Sequence, residues 1–143
     1  MRIILPIILI FISTQSFADL KGKGLICKIK NNYKYVFNYE AFYFKKDKAI
    51  YFSLEIDNDD KWGFRENSTD KYSVTSDSIY PLDGSRRVSR KSLIYYGTYV
   101  GGDTAEIGSC EAYSSKREFN KAKKKITRER QIEYNKGMKG NKI

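Results

Sequence analysis

Apolar and aromatic residues occur in short runs between positions 25 and 111, and clusters of turn residues separate these runs. Some runs alternate with a period of two, as Tyr33, Tyr35, Phe37 and Tyr39 do. This pattern is typical of half-buried β-strands. The predicted strands cover residues 25–29, 33–39, 41–44, 49–56, 61–64, 72–75, 78–82, 87–90, 93–100 and 105–111. We therefore predict a mainly β fold, a small antiparallel β-barrel or sandwich with a C-terminal α-helix.

The period of the pattern changes after residue 115. Ser115 is followed three residues later by Glu118, which fits a capping box at a helix N-terminus. Three apolar residues then fall on one face at helical spacing: Phe119, Ala122 and Ile126. Ile132 falls nearly opposite that stripe, so the second half has little apolar surface to bury. We predict a helix over residues 116–134 that is docked by its first turns and solvated afterwards, and we expect residues 136–143 to fray.

The N-terminal segment has the three-part build of a secretory signal peptide. Arg2 gives a charged start, residues 3–12 are apolar, and the small residues Ser16 and Ala18 precede the expected cleavage point. The apolar run is too short to span a bilayer. We predict cleavage between Ala18 and Asp19 and a periplasmic or secreted product, the alternative being a buried N-terminal helix or strand. No later apolar stretch approaches membrane length, so we expect no transmembrane segment in the mature chain.

The predicted export decides how the two cysteines of the chain, Cys27 and Cys110, are interpreted. In an oxidising compartment an even pair of cysteines is most simply a disulfide. Closing so long a loop stabilises a fold by about 4–5 kcal/mol in the chain-entropy model. The alternative is a pair of free thiols. Neither cysteine lies in a Cys-x-x-Cys sequence, so nothing indicates a redox role.

The composition narrows the possible chemistry. The chain has no histidine, which excludes Ser-His-Asp and Cys-His catalysis and imidazole metal ligands. Two cysteines do not complete a cysteine-rich zinc site. Glycosidase chemistry needs only two carboxylates, but no spacing singles out a pair among the glutamates. The glutamates considered are Glu40, Glu55, Glu66, Glu106 and Glu111. We therefore expect a protein that is not an enzyme and that carries no cofactor.

Four carboxylates cluster around one turn: Glu55, Asp57, Asp59 and Asp60. They could bind a hard cation, but an EF-hand loop would need an oxygen ligand and a glycine where this chain has Lys61 and Trp62. We interpret the segment as a polar hairpin turn and expect no metal.

The net charge of +10 is unevenly distributed. Residues 116–143 hold 11 basic and three acidic residues, a net +8, whereas residues 19–115 hold 15 basic and 14 acidic residues, a net +1. We divide the chain into a signal peptide (1–18), a β-rich domain (19–115) and a basic C-terminal helix and tail (116–143).

The basic helix has two interpretations, a contact with an anionic surface or a solvated charged helix. Lipid head groups, acidic cell-wall polymers and nucleic acid are the anionic candidates. No base-reading motif is present, so we do not expect nucleic acid, and the weak apolar face does not favour a membrane surface. The candidate contact residues are Lys116, Arg117, Lys121, Lys123, Lys124, Lys125, Arg128 and Arg130.

The aromatic residues also have two interpretations. Trp62, Phe64 and several tyrosines could form a stacking platform for sugar rings or a peptide. The alternative is that they form cross-strand pairs and fill the barrel, as the period-two alternation favours.

Five short motifs follow one another along the chain: Leu25-Ile26-Cys27-Lys28, Tyr72-Ser73-Val74-Thr75, Ser78-Ile79-Tyr80, Val88-Ser89-Arg90-Lys91-Ser92-Leu93 and Gly108-Ser109-Cys110-Glu111. With the signal peptide and the Lys-rich tail, this order resembles a broad group of small exported bacterial proteins of unknown function. The resemblance implies a secreted β-rich module with no established activity.

A more distant similarity is to the β-barrel inhibitors of C-type lysozyme, carried by the loops at residues 83–89 and 101–105. That family joins an early strand to a late one by a disulfide and uses Ser and Lys loop residues against the enzyme. Here Val100 stands where that family has a lysine, and the basic helix is foreign to it.

We expect non-catalytic binding in the periplasm or cell envelope, with no ligand named by the sequence. The alternatives are an inhibitor of a cell-wall hydrolase and a carboxylate-dependent glycan enzyme.

Overall fold

The computed structural model describes residues 19–30, 39–82, 84–98 and 104–140. Within these ranges nine strands form one antiparallel sheet, which curls into a nearly closed barrel, and one helix follows it. The strands are β1 (Gly24–Ile29), β2 (Tyr39–Phe44), β3 (Lys48–Ile56), β4 (Trp62–Lys71), β5 (Ser73–Val74), β6 (Ser78–Tyr80), β7 (Arg86–Ser89), β8 (Ile94–Thr98) and β9 (Thr104–Tyr113). Their order in the sheet is β4-β3-β2-β1-β9-β8-β7-β6-β5. The predicted mainly β, barrel-like fold is confirmed.

The predicted hairpin of residues 41–44 and 49–56 is confirmed as β2 and β3, which pair from Glu40↔Ser53 to Phe44↔Ala49. The prediction for β4 was too short, because this strand continues to Lys71 through polar residues that lack the period-two alternation. β4 lies at one edge of the sheet, where its exposed side chains need not be apolar.

Several predicted features lie outside the described residues, wholly or in part. These are the signal peptide, residues 33–38 of the predicted strand 33–39 (Tyr39 begins β2), Asp83 of the turn before Gly84, residues 99–100 of the predicted strand 93–100, the turn at residues 101–103, and residues 141–143 of the tail that was expected to fray.

The inner face of the barrel holds the main core. Residues alternate along each strand, so Leu25 and Cys27 of β1 and Phe42 and Phe44 of β2 face inward. Val88 and Tyr95 pack against them, and neither is exposed.

A disulfide joins Cys27 of β1 to Cys110 of β9, as predicted, with a Cα–Cα distance of 3.9 Å. The two residues lie directly opposite each other in the antiparallel register, and both are buried. The bond therefore links the first strand of the barrel to the last one.

The outer face of β1 and β2 carries a second core under the helix, α1 (Lys116–Gly140). Ile26 and Ala41 pack there against Phe119, which is only 1% exposed. Gly24 makes this approach possible, since a Cβ atom at that position would lie 2.7 Å from Cγ of Phe119.

The helix begins where the sequence predicts. The amide N–H of Glu118 donates to Oγ of Ser115 (3.2 Å), while the Glu118 carboxylate accepts from the hydroxyl of Ser114 (2.7 Å) rather than from the backbone N–H of Ser115. The start is therefore a capping box whose return bond is shifted by one residue.

The predicted end of the helix at residue 134 is wrong, because the helix continues to Gly140 and residues 136–140 are helical rather than frayed. The predicted solvation of the second half is wrong as far as Tyr134, because polar side chains rather than an apolar stripe dock this part on the barrel, whereas residues 135–140 are exposed. Gln131 accepts from the backbone N–H of Trp62 (2.9 Å) and donates to the carbonyl of Asp60 (3.0 Å). Tyr134 donates its hydroxyl to the Asp60 carboxylate (2.8 Å). The spacing of apolar residues does not predict polar contacts of this kind.

Candidate functional site

One charged cluster lies inside the barrel, around Glu40. This residue shares the inward-facing side of β2 with Phe42 and is 7% exposed. Its carboxylate accepts hydrogen bonds from the hydroxyls of Tyr51 (3.0 Å) and Tyr95, and from Nε of Arg86 (3.3 Å). Four side chains from four different strands therefore meet at one buried point.

The charges in this cluster balance each other. Burial, helped by the Glu40 carboxylate, raises the pKa values of Tyr51 and Tyr95, so both hydroxyls stay protonated donors at neutral pH. Burial alone would lower the pKa of Arg86, but Glu40 and Tyr95 outweigh it and raise that pKa. The cluster is an ion pair with two neutral donors, an arrangement that satisfies a buried charge.

The other glutamates considered from the sequence do not join this cluster. Glu106 pairs with a lysine at the surface, Glu55 lies 3.9 Å from an arginine Nε, and Glu111 accepts from a tyrosine hydroxyl (2.8 Å). Among the described residues no second carboxylate contacts Glu40, whereas glycoside hydrolysis uses two carboxyl groups across one bond.

The acidic turn connects β3 to β4 and is organised by its own main chain. Asp57 accepts from the backbone N–H groups of Asp59 and Lys61, each at 2.9 Å. The bond from Lys61 is the largest cause that lowers the pKa of Asp57. Asp60 adopts a left-handed conformation (φ 59°) and holds Tyr134 of the helix. Within the described ranges no group of three metal-ligating side chains comes together, here or elsewhere.

Three of the eight candidate basic residues face the barrel. Nζ of Lys123 lies 3.8 Å from the ring centroid of Phe52, and burial lowers its pKa. The Arg130 guanidinium lies 4.8 Å from the Trp62 ring centroid, and its side chain is only 12% exposed. Nζ of Lys116 lies 5.8 Å from a tyrosine ring centroid. These three cations hold the helix to the barrel through cation–π contacts.

Lys125 is exposed on the flank of the helix and lies 3.9 Å from Glu129. The remaining four candidates are Arg117, Lys121, Lys124 and Arg128, which we call the outer basic face. All four side chains are exposed.

The outer basic face is a narrow stripe of positive charge. At about 100° per residue its four members fall within an arc of about 60° that points away from Phe119. They extend over about 16 Å of the helix axis. With the same rotation of about 100° per residue, the three acidic residues of α1 fall outside the arc of the outer basic face. They are Glu118, Glu129 and Glu133. In the described part of the chain no hydrogen bond or ion pair engages the four side chains.

A groove of about 710 Å³ runs between α1 and β4, beside this stripe. Trp62 and Phe64 line one side, and Lys61, Lys124 and Arg128 are among its basic lining residues. No carboxylate of a described residue lines it. Two aromatic residues and three of the eight candidate basic residues, Lys123, Lys124 and Arg128, therefore line one surface.

Sequence reasoning singled out Trp62 and Phe64 as a stacking platform but did not connect them to the helix. It missed Lys61, although Lys61-Trp62-Gly63-Phe64 puts a cation beside two aromatics in one short run.

Comparisons with protein-family models, with curated proteins and with solved structures find no match to this chain. In the described ranges no helix combines the length and apolar character needed to cross a bilayer.

Proposed function

We propose that the protein is a non-catalytic binding protein of the cell envelope, which holds an anionic polymer against the outer basic face. The observation that carries this proposal is the segregation of charge on α1. Four exposed cations form one stripe, and within the described residues no hydrogen bond or ion pair engages them, whereas the other four candidate cations, Lys116, Lys123, Lys125 and Arg130, have partners on the barrel or on the helix.

The barrel supports this role by fixing the helix in place. Phe119 is buried beneath the first turns, and Gln131 and Tyr134 hold the later turns to the turn between β3 and β4. A solvated helix of this charge would repel itself and fray, so docking on a rigid barrel keeps the cations aligned. Pre-alignment reduces the conformational entropy lost when an anionic ligand binds.

A polymer fits this helix better than a bilayer does. Interfacial helices bury an apolar face in the membrane, but the apolar side of α1 already packs on the barrel through Phe119, Ala122 and Ile126. Ile132 lies near the outer basic face and is 47% exposed, but a single apolar side chain is a small surface for membrane insertion.

The envelope location is part of the proposal. The disulfide is compatible with an oxidising compartment, and the N-terminal sequence has the build of a signal peptide. Acidic polymers of the envelope would then be the accessible anionic partners.

Inorganic polyphosphate tests the proposal as a simple linear polyanion. We expect wild-type protein to bind it in titration calorimetry at low salt. The quadruple variant R117Q/K121Q/K124Q/R128Q should bind at least about tenfold more weakly, because it loses four phosphate contacts. The matched control K45Q/K46Q/K48Q/K91Q removes the same charge from exposed turns and a strand end on the barrel and should bind as wild type does. Equal loss in both variants would show a general charge effect and overturn the proposal.

A further inference from the structure

We infer that the groove between α1 and β4 binds an anionic glycan, a polymer whose sugar rings carry carboxylate or phosphate groups. The inference rests on the proposed function and adds the ligand class. It comes from four features found together: aromatic rings, cations, unengaged hydrogen-bonding groups and, among the described residues, a lining without carboxylates.

The aromatic side offers apolar ring surface, although the Arg130 guanidinium already lies 4.8 Å from the Trp62 ring centroid. Trp62 and Phe64 are two residues apart on β4, so both side chains point to the same face of this strand, about 7 Å apart. Both are half-buried rather than enclosed in the barrel core. The C–H face of a pyranose ring packs on such surfaces in the same way as other apolar groups.

The helix side offers polar groups. Asn120 and Thr127 line the groove, and within the described chain no hydrogen bond engages either side chain. They provide an amide and a hydroxyl that can bond to sugar hydroxyls. Gln131 also lines the groove but already bonds to the Trp62 backbone N–H.

The charges decide between a neutral glycan and an anionic one. Lys61 lies on the barrel side, and Lys124 and Arg128 lie on the helix side. Lys124 and Arg128 also belong to the outer basic face, so the groove and that face form one continuous positive surface. An extended polyanion could therefore place rings in the groove and further charges along the helix.

The single tryptophan of the chain makes this inference measurable. We would titrate full-length mature protein with oligogalacturonate, a chain of sugar rings with one carboxylate each, and follow Trp62 emission together with calorimetry. Polyphosphate supplies charge without rings, and a neutral galactose oligomer supplies rings without charge. Oligothymidylate and phosphatidylglycerol vesicles represent nucleic acid and a lipid surface.

We expect oligogalacturonate to bind and shift the Trp62 emission, polyphosphate to bind without that shift, and the neutral oligomer not to bind. Phe64→Leu keeps apolar volume but removes a ring, and it should weaken oligogalacturonate binding about tenfold while leaving polyphosphate binding unchanged. Tyr80→Leu is the control, because Tyr80 is a half-buried aromatic residue of β6 that does not line the groove. It should change neither affinity.

The other outcomes separate the two proposals. If neither polyphosphate nor oligogalacturonate binds, the proposed function itself fails. Both polymers could bind while oligogalacturonate leaves Trp62 emission unshifted and Phe64→Leu leaves the oligogalacturonate affinity unchanged. Polyanion binding then stands and the glycan inference is overturned. A shift of Trp62 emission with oligothymidylate or vesicles in place of oligogalacturonate also overturns it and assigns the groove to that class.

Discussion

A methyl group added at Gly24 would collide with the ring of Phe119 beneath the helix. The new Cβ atom would lie 2.7 Å from Cγ and 2.9 Å from Cε2 of that ring, whereas carbon atoms in contact normally lie about 3.5–4.0 Å apart. The ring would have to move by about 1 Å. It has no free space for this, because the rings of Tyr43, Phe52 and Tyr113 surround it at centroid distances of 5.6, 6.1 and 6.4 Å.

We expect Gly24→Ala to lower the free energy of unfolding by about 2–3 kcal/mol, the upper part of the range for overpacked cores. Phe119→Ala should cost about 3–5 kcal/mol through the cavity that it leaves. The double variant should cost no more than Phe119→Ala alone, because the added methyl group then enters empty space. The two substitutions should therefore be coupled by about 2–3 kcal/mol.

Urea denaturation measures these values, with circular dichroism for the whole fold and Trp62 emission for docking of the helix. Gly63→Ala is the matched control, because no atom lies within 4 Å of a Cβ at that strand position. It should leave stability unchanged or raise it by about 0.4–1 kcal/mol through the lower entropy of the unfolded chain. Additive effects of Gly24→Ala and Phe119→Ala would refute the described contact.

Three further predictions concern other parts of the fold. Replacing both Cys27 and Cys110 by alanine should lower the free energy of unfolding by about 2–5 kcal/mol in urea denaturation, and an unchanged midpoint would contradict a structural role for the bond. Above about pH 10 stability should fall, because folding raises the pKa values of Tyr51 and Tyr95 and the unfolded chain then releases protons that the folded chain retains. The variant Y51F/Y95F should show a shallower fall of the urea midpoint between about pH 10 and 12 than wild type, and equal slopes would argue against these pKa shifts. Gln131→Ala should speed hydrogen exchange of amides in residues 131–140 but not in residues 119–126, and uniform exchange along the helix would contradict polar docking of its second half.

The barrel could be predicted from the sequence because its strands are short apolar and aromatic runs bounded by turn residues. β1 and β2 are such runs, and they are buried on both faces, toward the barrel interior and beneath the helix. The predicted export made Cys27–Cys110 a specific prediction, and the structure contains this disulfide. β4 was predicted too short because an edge strand tolerates polar residues on both faces. The length of α1 was underestimated because Gln131 and Tyr134 dock through hydrogen bonds, and these leave no hydrophobic period.

The sequence predicts which candidate residues are buried or exposed, but not which distant residues they contact. Glu40 lies two residues before Phe42, on the same face of β2, so its burial could have been predicted from the alternation. Its partners could not, because Arg86 and Tyr95 are separated from it by 46 and 55 residues along the chain. Among the helical cations, Lys123 and Arg130 share the side of Phe119, which a rotation of about 100° per residue predicts.

The salt dependence of polyphosphate binding tests the central claim most directly. If four aligned cations carry the contact, the logarithm of the binding constant should fall with the logarithm of salt concentration with a slope of roughly −3. In R117Q/K121Q/K124Q/R128Q this slope should approach zero, while K45Q/K46Q/K48Q/K91Q should keep the wild-type value. A slope that is the same in wild type and both variants would contradict a role for the outer basic face.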